Sequence, residues 1–149
     1  MVDLYNQDPR AFLNMYRISK GKIANMKLDI KRLEEDILKS RTMDGLPRHG
    51  GINHPTADAA IKLADKRARY EKEIAEQEQI CATVEDVIHS VPDPTLERLL
   101  ILRYTTGASW KFVADEMHYA KAYVEKELKT KAILEVQKEL EQRRERQTI

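Results

Sequence analysis

A single cysteine, Cys81, occurs in the 149 residues, so no disulfide can close within the chain. Glycine and proline number five each and aromatics make up 6%, too few for a turn-dense sandwich, barrel or α/β enzyme. No apolar run is long enough to span a membrane. The opening MVDLYNQDPR lacks the basic-then-apolar form of a signal peptide, which predicts a cytoplasmic protein. Neither sign of charge dominates. Lys and Arg number 26 against 25 Asp and Glu, so any nucleic-acid contact has to come from a local patch and not from a bulk field. No phosphate-cradling glycine loop and no Ser-His-Asp set is present. Glu34 and Glu35 fall on a charged helix face, so no catalytic arrangement and no enzyme is expected. No cofactor is expected either.

What is present is charge, 34%, set among 42% apolar residues, the profile of long helices and of a narrow core without a cavity for a small-molecule substrate. Asp8-Pro9 is a cap followed by a proline at the first helical position. From there the chain runs to about residue 39 with no internal proline. Tyr16, Ile23, Ile30 and Ile37 fall seven apart, and Phe12, Met26 and Leu33 hold the complementary position, broken by Ser19 and Ser40. Residues 41–55, with three glycines, two prolines and two histidines, form a loop. A second helix is expected from about 56 to 90. In it Ile74, Cys81 and Ile88 repeat every seven residues, with Leu63, Tyr70, Val84 and Val91 on the matching position and Gln77 interrupting. Two long helices with facing apolar seams fold most simply as an antiparallel coiled-coil hairpin. Cys81 lies on that seam as a small buried hydrophobe. His49 and His54 lack a third ligand at metal-site spacing, so no metal is expected.

Pro92 ends the hairpin region, and Asp93-Pro94 repeats the cap-and-proline signal. The expected division is thus a hairpin over 1–91 and a second domain over 92–149. There, a short helix covers 95–104, TTGAS breaks it, Ser109 caps a helix over 110–117, and 118–120 form a turn. A last helix runs from 121 to about 146. Trp110, Val113, Ala114 and Met117 make the inner face of one helix, and Val124 and Leu128 that of the next. Ala114 sits where two crossed helices approach closely. Such docking presents the first residues of the last helix outward, as in a helix-turn-helix.

Residues 103–124, RYTTGASWKFVADEMHYAKAYV, resemble the helix-turn-helix, like region four of sigma factors, of phage late transcription regulators of the ArpU and RinA type. Arg103-Tyr104 closes one helix, Gly107 and Ser109-Trp110 open the next, and Tyr119-Ala120 leads into recognition. The resemblance implies an all-α protein in the host cytoplasm that binds double-stranded DNA at late-gene promoters and contacts host RNA polymerase. Ala120 stands where that family has a serine, which removes a cap at a cost of about 1 kcal/mol.

On this reading the DNA-binding candidates are Lys121, Tyr123, Lys126, Lys111 and Lys129. Early in the last helix no Arg, Asn or Gln is available for bidentate base reading. Residues 95–149 hold eleven Lys and Arg against nine Asp and Glu, and residues 45–94 hold six against nine, so the C-terminal part is the expected DNA side. Ile133, Val136 and Leu140 extend an apolar stripe beyond the motif and predict a homodimer. Two other readings stay open. One is a protein-binding adaptor that keeps the helix-turn-helix as scaffold. The other is a DNA-packaging subunit of small-terminase type, which also joins a helix-turn-helix to a coiled coil.

Overall fold

The computed structural model of the chain describes residues 4–43 and 57–147, and among these there is no strand: the protein is all-α. After a 3-10 turn over Leu4–Asn6 come α1 (Pro9–Met43), α2 (Ala57–His89), α3 (Pro94–Leu100), α4 (Trp110–Met117), α5 (Lys121–Tyr123) and α6 (Lys129–Gln147). The segments Ile101–Thr105 and Val124–Leu128 are π-helical continuations of α3 and α5. α1 extends past the expected loop start at 41. The glycine loop proper, with Arg48, His49 and His54, lies outside the described residues. No described helix is long and apolar enough to cross a membrane.

The helix starts follow from capping chemistry. Asp8 accepts from the N–H groups of Arg10 at 3.1 Å and Ala11 at 3.3 Å. Asp93 accepts from Thr95 N–H at 2.9 Å with Pro94 behind it, and the Ser109 hydroxyl accepts from Phe112 N–H at 3.2 Å. Each satisfies a donor that the first turn would otherwise leave unpaired. Ala120 offers no such bond to α5.

The chain divides into two compact units, residues 1–20 with 79–149, and residues 21–78. In the second unit, burial follows the seven-residue spacing. Ile23 and Ile74 are buried, and Met26, Ile30, Leu33, Ile37, Leu63, Tyr70 and Gln77 are half-buried. Arg67 in its second helical segment pairs with Glu34 in its first at 3.0 Å, and Arg67 also bonds Glu71 at 3.1 Å.

The first unit holds the larger core. Phe12 and Leu13 of α1, Val84, Val87 and Ile88 of α2, Leu99 and Leu100 of α3, Val113 of α4, and Val124, Val136 and Leu140 of the last helical run form one buried cluster. Cys81 is buried, as its seam position predicts, and its thiol donates to Tyr16 O at 3.8 Å. Ser19, the polar break in the first seam, is buried too. The stripe of Ile133, Val136 and Leu140 needs correction. These side chains are 9%, 0% and 1% exposed and belong to this chain's own core, so they offer no seam for a second copy.

Tyr16 carries a pH signature. Burial and a hydrogen bond to the Glu85 carboxylate push its phenol from 10.0 up to about 12. The folded state therefore favours the neutral phenol. Its stabilising contribution is complete below pH 10.0 and disappears as the pH rises through about 12. We expect Tyr16 to ionise last in an ultraviolet difference titration. Tyr16→Phe should remove that phase and flatten the loss of stability over the same interval.

Candidate nucleic-acid interface

α4 ends in a left-handed residue. His118 has φ 61°, the one non-glycine residue at positive φ among those described, and Tyr119 N–H donates back to Ala114 O at 3.1 Å. This six-to-one bond is the Schellman way of closing a helix. It turns the chain within three residues, from Met117 to Lys121. Ala114 is 2% exposed and Val113, Val124 and Leu128 are buried with it. The inner faces expected of the two helices are thus inner, except at Trp110 and Met117, which are half-buried against the core edge.

The anchoring of Val124 and Leu128 leaves the opposite edge of the last helical run uncovered. Lys121, Ala122, Tyr123, Lys126 and Glu127 are all exposed. Lys121 pairs with Glu125 one turn on, at 3.9 Å, and the rings of Tyr119 and Tyr123 lie 5.5 Å apart. Lys111 is exposed on the outer face of α4. Three of the five expected residues, Lys121, Tyr123 and Lys126, are therefore exposed at the start of this run, while Lys111 stands on the neighbouring helix.

Lys129 lies elsewhere. Its ammonium sits 5.3 Å from the centre of the Trp110 ring, which the Arg103 guanidinium approaches to 4.7 Å. Arg103 is held in place by donating to Ala108 O at 2.9 Å. Trp110, expected as a core residue, is half-buried against the core and also walls a cleft of about 630 Å³ within the first unit. Five cations line this cleft: Arg10, Arg17 and Lys20 of α1, Arg103 of the first π segment, and Lys129 at the start of α6. Tyr16, Tyr104 and Trp110 supply aromatic walls, and no carboxylate is among its lining residues. The cations act on Tyr104: burial raises its phenol pKa, and Arg103 and Arg10 pull against that rise.

Arg143 is a half-buried clasp. Its guanidinium donates to Glu139 at 2.9 Å, Asp86 at 2.8 Å and the Ser90 hydroxyl at 3.0 Å. Burial alone would lower its pKa, but hydrogen bonds to Glu139, Asp86 and Tyr5 outweigh it and hold the group above its ordinary value. No cluster of three or more metal-ligating side chains occurs among the described residues. No family model, no curated protein and no solved structure matches the chain.

Proposed function

We propose that the protein is a DNA-binding transcription regulator, acting at phage late-gene promoters together with host RNA polymerase, with the leading edge of its last helical run in a groove of the duplex. The observation that carries this reading is the exposure of Lys121, Tyr123 and Lys126 at the start of a helical run that follows a three-residue turn, while Val124 and Leu128 bury the same run against the core. That is the arrangement by which a second helix reaches a major groove. The edge offers lysines and a phenol for phosphates and no bidentate base reader, and Glu125 offsets part of the Lys121 charge. Binding is therefore dominated by phosphate contacts, and with so few cations its salt slope is shallow.

A band-shift titration with promoter fragments at low and high salt tests this. Lys121→Ala with Lys126→Ala should weaken binding about tenfold and reduce the salt slope by about two. No binding at any salt, or binding indifferent to the double substitution, overturns the DNA reading. A protein-binding adaptor then takes its place. That second reading draws on Phe112, Tyr119 and Tyr123, aromatic side chains 48%, 45% and 40% exposed on the turn and the helices that flank it, because aromatic surface of this kind marks protein contact.

A further inference from the structure

The cationic cleft is not explained by the helix-turn-helix. In a chain of nearly balanced charge, Arg10, Arg17, Lys20, Arg103 and Lys129 gather around one space of about 630 Å³. None of the five forms an ion pair with a described residue, whereas Arg67, Lys121, Lys138 and Arg143 all do. Like charges held together without counter-charge work against the folded state, and the fold does not relieve them. It holds them in place. Arg103 is tied to Ala108 O and stacked on Trp110, and Lys129 lies over the same ring. Lys20 sits 5.4 Å from the Tyr16 ring. Cations steadied by aromatic faces and a backbone carbonyl are preorganised for an anion.

We propose that this cleft binds a polyphosphate chain. Three arginines supply planar forks suited to phosphate oxygens, and two lysines add point charges. The space suits a small, densely charged ligand better than a peptide, whose carboxylates are spread along an extended chain. The same phosphate chemistry reaches the cleft from a free nucleoside polyphosphate or from a nucleic-acid backbone. The site shares no residue with the edge of Lys121, Tyr123 and Lys126, so it stands or falls apart from the DNA reading.

Trp110 is the only tryptophan in the chain and lines the cleft, so the full-length protein reports on its own occupancy. Inorganic triphosphate added at physiological salt should change its fluorescence saturably, with matching heat by calorimetry. Arg10→Glu with Arg17→Glu, both at exposed positions on α1, should weaken binding by about tenfold or more with the helical circular dichroism intact. Lys121→Ala with Lys126→Ala should bind triphosphate as the parent does, even if that variant has lost DNA. Adenosine triphosphate and a short duplex separate the two sources. Displacement of triphosphate by the duplex assigns the cleft to a nucleic-acid backbone, and simultaneous binding assigns it to a free ligand, either of which supports the proposal. It is overturned by the absence of both fluorescence change and heat at millimolar triphosphate. It is equally overturned by unchanged affinity in the charge-reversed variant, or by a tetraglutamate peptide that binds as tightly as triphosphate.

Discussion

Phe12→Ala is expected to lower the unfolding free energy by about 4 kcal/mol, although the residue lies more than eighty positions from the first helix of the proposed DNA-binding motif. Phe12 is 0% exposed. It shares one buried cluster with Leu99, Leu100, Val113 and Val124, and the Tyr5 ring packs 6.5 Å from its own. Truncation removes the transfer energy of the ring and leaves a void that the surrounding helices close only in part. For a unit of this size the melting midpoint should fall by roughly 15–25 °C. The same reasoning extends to a fragment of residues 92–149. Cut there, the helices lose Phe12, Leu13, Val84, Val87, Ile88 and Val91 from their core. The fragment should therefore show no cooperative melt by circular dichroism. A sharply melting fragment, together with a Phe12→Ala variant within 1 kcal/mol of the parent by denaturant titration, would refute this account of the core.

The features legible in the sequence are those with local causes. Asp8, Asp93 and Ser109 mark helix starts because a side-chain oxygen two or three residues from an orphan N–H is a short-range arrangement, and all three cap as expected. Ala114 and Val124 can be read as inward because the period of a helix is itself local. The π segments could not be read. The bonds from Thr106 N–H to Ile101 O at 2.9 Å and from Lys129 N–H to Val124 O depend on packing that no sequence window contains. Ile133, Val136 and Leu140 show the limit of periodicity. An apolar stripe states that something covers it, and here the cover is the chain's own core.

The site was partly legible in the same way. The edge of Lys121, Tyr123 and Lys126 follows from the motif. The cleft does not, since it joins side chains from opposite ends of the chain. One signal for it was nevertheless available: residues 9–28 contain Arg10, Arg17, Lys20, Lys22 and Lys27 and no acidic residue. Arg10, Arg17 and Lys20, at intervals of seven and three, share one helix face. Trp110 was legible only in part: its spacing matches the buried face and it does pack against the core, but spacing cannot show that Arg103 and Lys129 would lie over its ring.

Arg143→Met should cost about 3 kcal/mol while leaving DNA affinity within about threefold of the parent. Methionine keeps much of the aliphatic stem and removes the fork, so the loss isolates the guanidinium from its packing. The Arg143 side chain is 14% exposed and that of Glu139 15%, so the substitution leaves a largely desolvated carboxylate without its cation. Asp86, at 68% exposed, is rehydrated and contributes little to the loss. Arg143→Lys should recover only part of the stability, because one ammonium cannot reach Glu139, Asp86 and Ser90 together. Pairing Arg143→Met with Glu139→Gln should restore more than 1 kcal/mol of that loss in a double-mutant cycle. Binding should be spared because Val124 and Leu128 seat the start of the run, and Arg143 lies 22 residues beyond Lys121, roughly 33 Å along a helix. A parallel loss of DNA affinity in conditions where the variant is fully folded would mean that the leading edge is positioned from the far end of the helix, contrary to the anchoring inferred from its buried residues.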